Sequence, residues 1–568
     1  MKIYFVTILY ILFFSCCFVS CEGYLEPEIM SEITVEEATS EYNYVRGQVA
    51  HIYGDIKSGF LIIDGAMLAS ASDEAEHTLG TAAIQHFNRG TWNEFQNPDN
   101  VWNDYYRSIR KINKFLISSD NVNLDHLKNN PDQQTVYETY MANINRWKYE
   151  VRFLRAFFYF ELIKRYGGVP LITDLYSLDD SFDNIPRSSL ADCIDFITDE
   201  CDAAAQALPP RYDAGELGRV TQVAAMALKS RVLLYAASEL FNNISWASGY
   251  TNTSLIALSG DRQVRWQSAA NAAKAAITLA ENNGYVLSSN YKAIFGLNTH
   301  TNNEVIFFRR ESASNSFEKA NISVGFDLGN SGTTPTQNLV DAYEMNDGSK
   351  FDWNNPEHAA NPYANRDPRL ALTIATNNST FKGRPMECWE GGQDGPPITQ
   401  ASKTGYYLRK YVNEDLNLVT NQTSTHSWVI FRLAELYLNY AEALNEADPG
   451  NNDIKTYVDK VRQRSGVNMP GLPSDLSQSQ MRERIYNERQ VEFAFEDHRL
   501  WDLRRWMTAS SVLTAPVRGV QISKISDNQF NYNVTNVESR TFLPKMNFYP
   551  ISQNEIYINK ALVQNPLW

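Results

Sequence analysis

Apolar positions along this chain recur mostly at three- and four-residue steps. From Leu190 to Leu208 the residues Leu190, Ile194, Ile197, Cys201, Ala204 and Leu208 form one stripe, and Pro209-Pro210 stops it, which predicts an amphipathic helix. Trp147 to Tyr166 is apolar on most sides, through Phe153, Phe157, Phe158 and Phe160, and ends at Gly167-Gly168. A helix of that kind is heavily buried. Thr221 is placed to cap a further helix rich in alanine, and Trp266 to Glu281 carries Ala269, Ala272, Ala273 and Ala276, small residues that let a neighbouring helix approach. Helical signals dominate as far as about Asn283. Between Gly284 and His426 the texture changes to Asn, Gly, Pro and Thr with short extended pieces such as Val305 to Phe308, the pattern of an irregular, loop-rich region. Helix is predicted again over Trp428 to Ala447, Ile454 to Ser465 and Met481 to Met507, and the tail from Ala509 reads as loop with short extended pieces. Successive helix pairs suggest an α-solenoid, although no strict tetratricopeptide period occurs.

The N-terminus carries an address. Behind Lys2, the run Ile3 to Phe14 has the length and position of a secretory signal and is short for a spanning helix. Phe18-Val19-Ser20 ahead of Cys21 resembles the lipobox of bacterial lipoproteins, with Phe18 in place of the usual leucine. The expectation is a signal peptide over 1–20, a lipidated Cys21 and a polar tether over 21–31, with Cys16 and Cys17 poorer acceptors. A plain signal cut near Ser20 and a short membrane anchor are the alternatives. Two acyl chains on one cysteine anchor a protein stably, which a single chain does not.

Composition narrows the partners. The formal charge of −15 argues against general binding of nucleic acid and against electrostatic adhesion to anionic lipid. Aromatic residues make up 12% of the chain, and tyrosine or tryptophan can stack on the apolar faces of sugars while their polar ends stay wet. Beyond the signal and Cys21 remain Cys193, Cys201 and Cys388. The first two lie about 12 Å apart along one helix, beyond disulfide reach, and read as core residues.

Several blocks, in order, resemble the SusD/RagB family of outer-membrane nutrient-binding lipoproteins. They include Arg152 to Leu162 followed by Tyr166-Gly167-Gly168-Val169-Pro170-Leu171, then Gly218-Arg219-Val220-Thr221 and Arg366-Asp367-Pro368-Arg369-Leu370. Phe431 to Ala443, Val461 to Gly466, Glu488 to Glu496, Arg499 to Trp506 and Tyr549-Pro550-Ile551 complete the set. Ser552 and Leu567-Trp568 depart from the family's tail. The resemblance implies a mainly α fold, a tetratricopeptide-like superhelix of helix pairs over 32–283 and 427–508, supporting an irregular subdomain with short strands and a tail over 284–426 and 509–568. It implies a surface lipoprotein of the cell outer membrane that binds oligo- or polysaccharide, uses no cofactor, and delivers its ligand to a SusC-like TonB-dependent transporter.

The motif carboxylates Glu435, Glu442, Glu488, Glu492 and Glu496 lie near Arg432, Arg489 and Arg499, on helix faces that are otherwise apolar. Structural pairing with arginine is the expected role, ahead of acid-base chemistry. No His-Glu-x-x-His, Cys-x-x-Cys, Walker loop or Gly-x-Ser-x-Gly elbow occurs. Ligand contacts do not carry over from the motifs, so loop aromatics flanked by polar residues are the candidates. Trp92 with Asn93 comes first, then Trp389 and Trp353, with Asp73 and Glu74 as acceptors. Oligopeptide binding, a surface glycosidase and a protein-binding scaffold are the competing functions.

Overall fold

A computed structural model describes residues 41–176, 181 and 183–568; the expected signal, Cys21 and the tether lie outside the described residues. Six long helices occupy the first half: α1 (Tyr42–Gly54), α2 (Trp102–Ser118), α3 (Gln134–Tyr166), α4 (Leu190–Ala207), α5 (Gln222–Ala237) and α6 (Arg262–Asn282). Each packs on the next, and α6 packs on α7 (Leu433–Ala447), which carries α8 (Asn452–Arg462) and α9 (Gln478–Glu492). The result is a tetratricopeptide-like superhelix of helix pairs. Local chemistry sets the ends. The Ser189, Thr221 and Asp261 side chains accept N–H bonds from the first turns of α4, α5 and α6, each cap contributing about 1 kcal/mol. At the end of α3 a Cβ on Gly167, whose φ is +73°, would lie 2.4 Å from the Leu255 carbonyl oxygen, so only glycine fits.

Three segments differ from the sequence pattern. The apolar run Trp428 to Phe431, which reads as the start of a helix, lies in strand β2 (Ser427–Arg432), antiparallel to β1 (Val305–Arg310). Its aromatic and β-branched residues fit a fully buried strand as well as a helix, and the partner strand decides. The long helix expected over Met481 to Met507 is broken where Phe495 and Asp497 take φ of +61° and +59°, so α9 ends and α10 (Arg499–Arg505) restarts. The tail, read as loop with short extended pieces, contains a hairpin of two longer, ten-residue strands, β3 (Val517–Ser526) and β4 (Gln529–Glu538).

Between the superhelix and the loop-rich region lies a buried ionic network. Arg432, at the junction of β2 and α7, contacts Glu304 at 2.8 Å, Glu492 at 2.5 Å and Glu496 at 2.8 Å. Arg369 holds Asp367, Glu488 and Glu492, while Arg462 joins Glu488 to Glu344. Arg464 closes the ring against Glu304 and Glu492. Burial by itself would raise the Glu492 carboxyl, but Arg464, Arg432 and Arg369 outweigh it and hold it well below the usual carboxylate range. Glu435 pairs with Arg231 and Glu442 with Arg505, so the motif carboxylates are structural. Cys193, Cys201 and Cys388 are buried free thiols.

Candidate functional site

The first sequence candidate is a core residue. Trp92 is 2% exposed, enclosed by Phe87, Tyr549 and Trp568 with ring centroids 4.9–5.0 Å away, and no ring face is open to a ligand. Asn93 beside it accepts the N–H groups of Phe95 and Gln96 and shapes its own loop. Asp73 is already paired: Arg499 grips both its oxygens at 2.8 Å. Glu74 is 1% exposed with neither carboxylate oxygen hydrogen-bonded, and burial, then the Asp73 charge, push its carboxyl well above the usual range. These four residues do not form a surface site.

Trp389 and Trp353 are half-buried and are brought to the same β3–β4 hairpin. Near the turn, Trp389 stacks on Phe530 at 5.2 Å, and the Lys524 ammonium lies 5.1 Å from its ring centroid. Phe530 and Lys524 face each other in the strand register, so both press on the tryptophan from one side. The Trp389 loop is fixed in turn. Glu390 N–H donates to the Ile522 carbonyl of β3, and the buried Asp394 carboxylate holds Arg384, the Ser323 hydroxyl and the Glu387 N–H. Near the hairpin base, Trp353 Nε1 donates to Asp341 at 3.2 Å, and Asp341 pairs with Arg518 of β3 at 2.9 Å. Six residues of strand separate Arg518 from Lys524, about 20 Å. Between them Tyr532 packs edge-on against Tyr363.

Along the opposite face of the hairpin Gln521, Ser523, Asn531 and Asn533 are exposed. Two half-buried tryptophans and a row of amides and hydroxyls therefore share one element. The rings lie on the docked side, with Lys524 and Arg518, and the polar row on the outward side, so the element offers apolar ring surface on one face and donors and acceptors on the other. Phe530, Lys524, Tyr532 and Tyr363 were absent from the sequence candidates. The alternation Phe530, Tyr532, Val534 against Asn531, Asn533 was the available signal, since period two marks a half-buried strand.

Besides Glu74, Asp497 has the raised titration of an acid catalyst. Burial raises Asp497 to about 7, and its Oδ1 has no hydrogen-bond partner. It lines a narrow, partly open cavity of about 70 Å³ beside Lys164, Arg165, Arg231 and His498, too small for a sugar ring. Because the folded-state value is raised, the protonated acid favours folding below about pH 4, and this contribution is lost as pH rises through 7. Asp497→Asn keeps the neutral shape, and asparagine tolerates the left-handed backbone there. In denaturant melts the variant is expected to match wild type at pH 4 and to exceed it at pH 8 by about 1–2 kcal/mol, a range discounted for screening by cavity water. Equal stability at pH 8 would remove Asp497 as a titrating group.

Comparison with known proteins agrees with this architecture. A model of the SusD family matches residues 293–568, and one described as starch-binding associating with outer membrane matches residues 64–234. The SusD-like protein P25 of Formosa agariphila is 22% identical over all of this chain and 98% of its own length. A SusD-like protein from Bacteroides fragilis superposes with a TM-score of 0.78 at 28% identity, covering 94% of this chain and 99% of the other. A SusD-like carbohydrate binding protein from the same organism gives 0.75 at 24% identity, covering 93% and 100%. With family models matching 64–234 and 293–568 and a SusD-like structure superposing over 94% of the chain, this chain belongs to the SusD/RagB family.

Proposed function

We propose that this chain is a lipid-anchored, glycan-binding protein of the outer-membrane surface, which captures oligo- or polysaccharide on the β3–β4 hairpin face and delivers it to a SusC-like TonB-dependent transporter. The observation that carries this reading is the pairing of Trp389 and Trp353 with one hairpin whose other face presents amides and hydroxyls. The carbohydrate-binding relative supports the ligand class, and the outer-membrane description of the family supports the location. Cys21 supplies the lipid attachment in this reading, and 284–426 with 509–568 make up the ligand-binding region. Among the described residues no helix is long and apolar enough to cross a membrane. Binding proceeds without bond-making, since the motif carboxylates are engaged in buried arginine pairs.

Affinity electrophoresis through gels containing single polysaccharides tests this. Wild type is expected to be retarded by at least one glycan. Losing one aromatic platform removes about 1 kcal/mol, so Trp389→Ala and Trp353→Ala should each weaken retardation about fivefold, and together more than tenfold. Undiminished retardation of the double variant would move the site away from the hairpin, and reducing ends appearing on prolonged incubation would make the protein a hydrolase.

A further inference from the structure

A second cleft, remote from the hairpin in sequence, has the opposite chemistry. It has a volume of about 720 Å³ and lies between α1, the loop ahead of α5 and the outer end of β1. Its walls are apolar, from Val49, Ile56, Leu217 and Phe308, and its charged lining is entirely cationic: Arg46, Arg219, Arg309 and Arg310, joined by His300. In a protein of formal charge −15 this is a local reversal of sign.

Two of these cations are compensated from behind. Arg219 donates to Glu150 at 2.8 Å and lies 3.3 Å from Glu216, and Arg309 lies 3.5 Å from Glu311 while donating to the Tyr53 carbonyl. Arg46 and Arg310 are exposed and have no carboxylate within ion-pair distance among the described residues. His300 Nδ1 is a buried polar atom without a hydrogen-bond partner. The neighbouring cleft of about 630 Å³ shows the contrast, because its cations are neutralised within the fold: Lys57 by Asp104 at 2.7 Å and Lys111 by Asp55 at 2.8 Å.

We infer that the Arg46–Arg310 cleft binds the oxyanion of an acidic sugar unit, either a carboxylate or a sulfate ester. The planar guanidinium fork matches both groups in a way that an ammonium does not. The volume suits one or two sugar rings, and the exposed Leu217 side chain supplies apolar contact for a ring face. The inference rests on the glycan reading for the class of carrier, but the anion site is tested apart from it.

Isothermal titration of the mature protein at low ionic strength with D-glucuronate, sodium sulfate and D-glucose separates the sources. Saturable binding of glucuronate alone assigns a carboxylate, of sulfate alone a sulfate ester, and of both an unselective oxyanion site; each supports the inference. Arg46→Gln/Arg310→Gln should weaken that binding at least tenfold, and added sodium chloride should weaken it in wild type. The variant's own melting temperature should stay unchanged, because both side chains are exposed. No saturable binding of either anion, equal binding by the variant, or equal binding of glucose would overturn the assignment. Loss of glycan retardation through the hairpin variants would leave this result standing.

Discussion

Glu492→Ala is expected to destabilise the fold by about 3–5 kcal/mol, the loss found when one member of a buried ion pair is removed. The effect falls at the top of that range because three guanidiniums, of Arg369, Arg432 and Arg464, meet on this one carboxylate and all are nearly fully buried. A stability of about 5–15 kcal/mol is usual for a domain, so the variant should unfold at clearly lower denaturant or accumulate as inclusion bodies. Glu492→Gln, which keeps the shape and part of the hydrogen bonding, should lose less. The pH dependence has a definite sign. Glu492 and Glu488 titrate below the ordinary carboxylate value in the folded state, so their contribution is present above about pH 4.5 and is lost as pH falls through the depressed values. Urea melts of wild type between pH 7 and pH 3 should therefore show a steep acid limb, and a soluble Glu492→Gln variant a shallower one. An alanine variant as stable as wild type would mean that the network contributes nothing net.

Trp92→Ala should cost about 3–5 kcal/mol through the cavity left among Phe87, Tyr549 and Trp568. The same substitution should leave glycan retardation unchanged at temperatures where the variant is folded. Thermal melting together with affinity electrophoresis checks both halves. A variant of native stability that no longer binds glycan would restore Trp92 as a ligand platform.

These two residues mark the limits of legibility. Glu488 and Glu492, four residues apart on the face of α9 that also holds Met481 and Ile485 and close to arginines, announce pairing, because a carboxylate enters a buried face only with a partner. The network's other members come from segments too short or irregular to show a period: Glu304 and Glu344 from a strand end and a loop, and Arg369 from the six-residue helix Pro368–Thr373. Trp92 sits among Gly, Thr, Asn and Glu and looks exposed. The rings that cover it, Tyr549 and Trp568, lie at the far end of the sequence, and nothing local encodes that contact. Trp353 and Trp389 were visible as loop aromatics, but their shared hairpin was hidden, since each is docked through a partner more than 100 residues away: Arg518 by way of Asp341, and Phe530. The strand Ser427–Arg432 was masked by the helix that follows it without a break. The superhelix itself was readable, because most of its contacts join helices that are neighbours in sequence.

The β3–β4 hairpin has its own consequence for how such a protein changes over time. Its inward residues Phe530, Tyr532 and Ile522 are committed to docking, while Gln521, Ser523, Asn531 and Asn533 point away from the body. Exchanging exposed residues of that kind usually shifts stability by less than about 0.5 kcal/mol. A lineage can therefore try new amides, hydroxyls or rings on this strand pair while the charged interior keeps the frame rigid. If the hairpin is the glycan-binding face proposed above, relatives with the same superhelix are free to differ in what they hold.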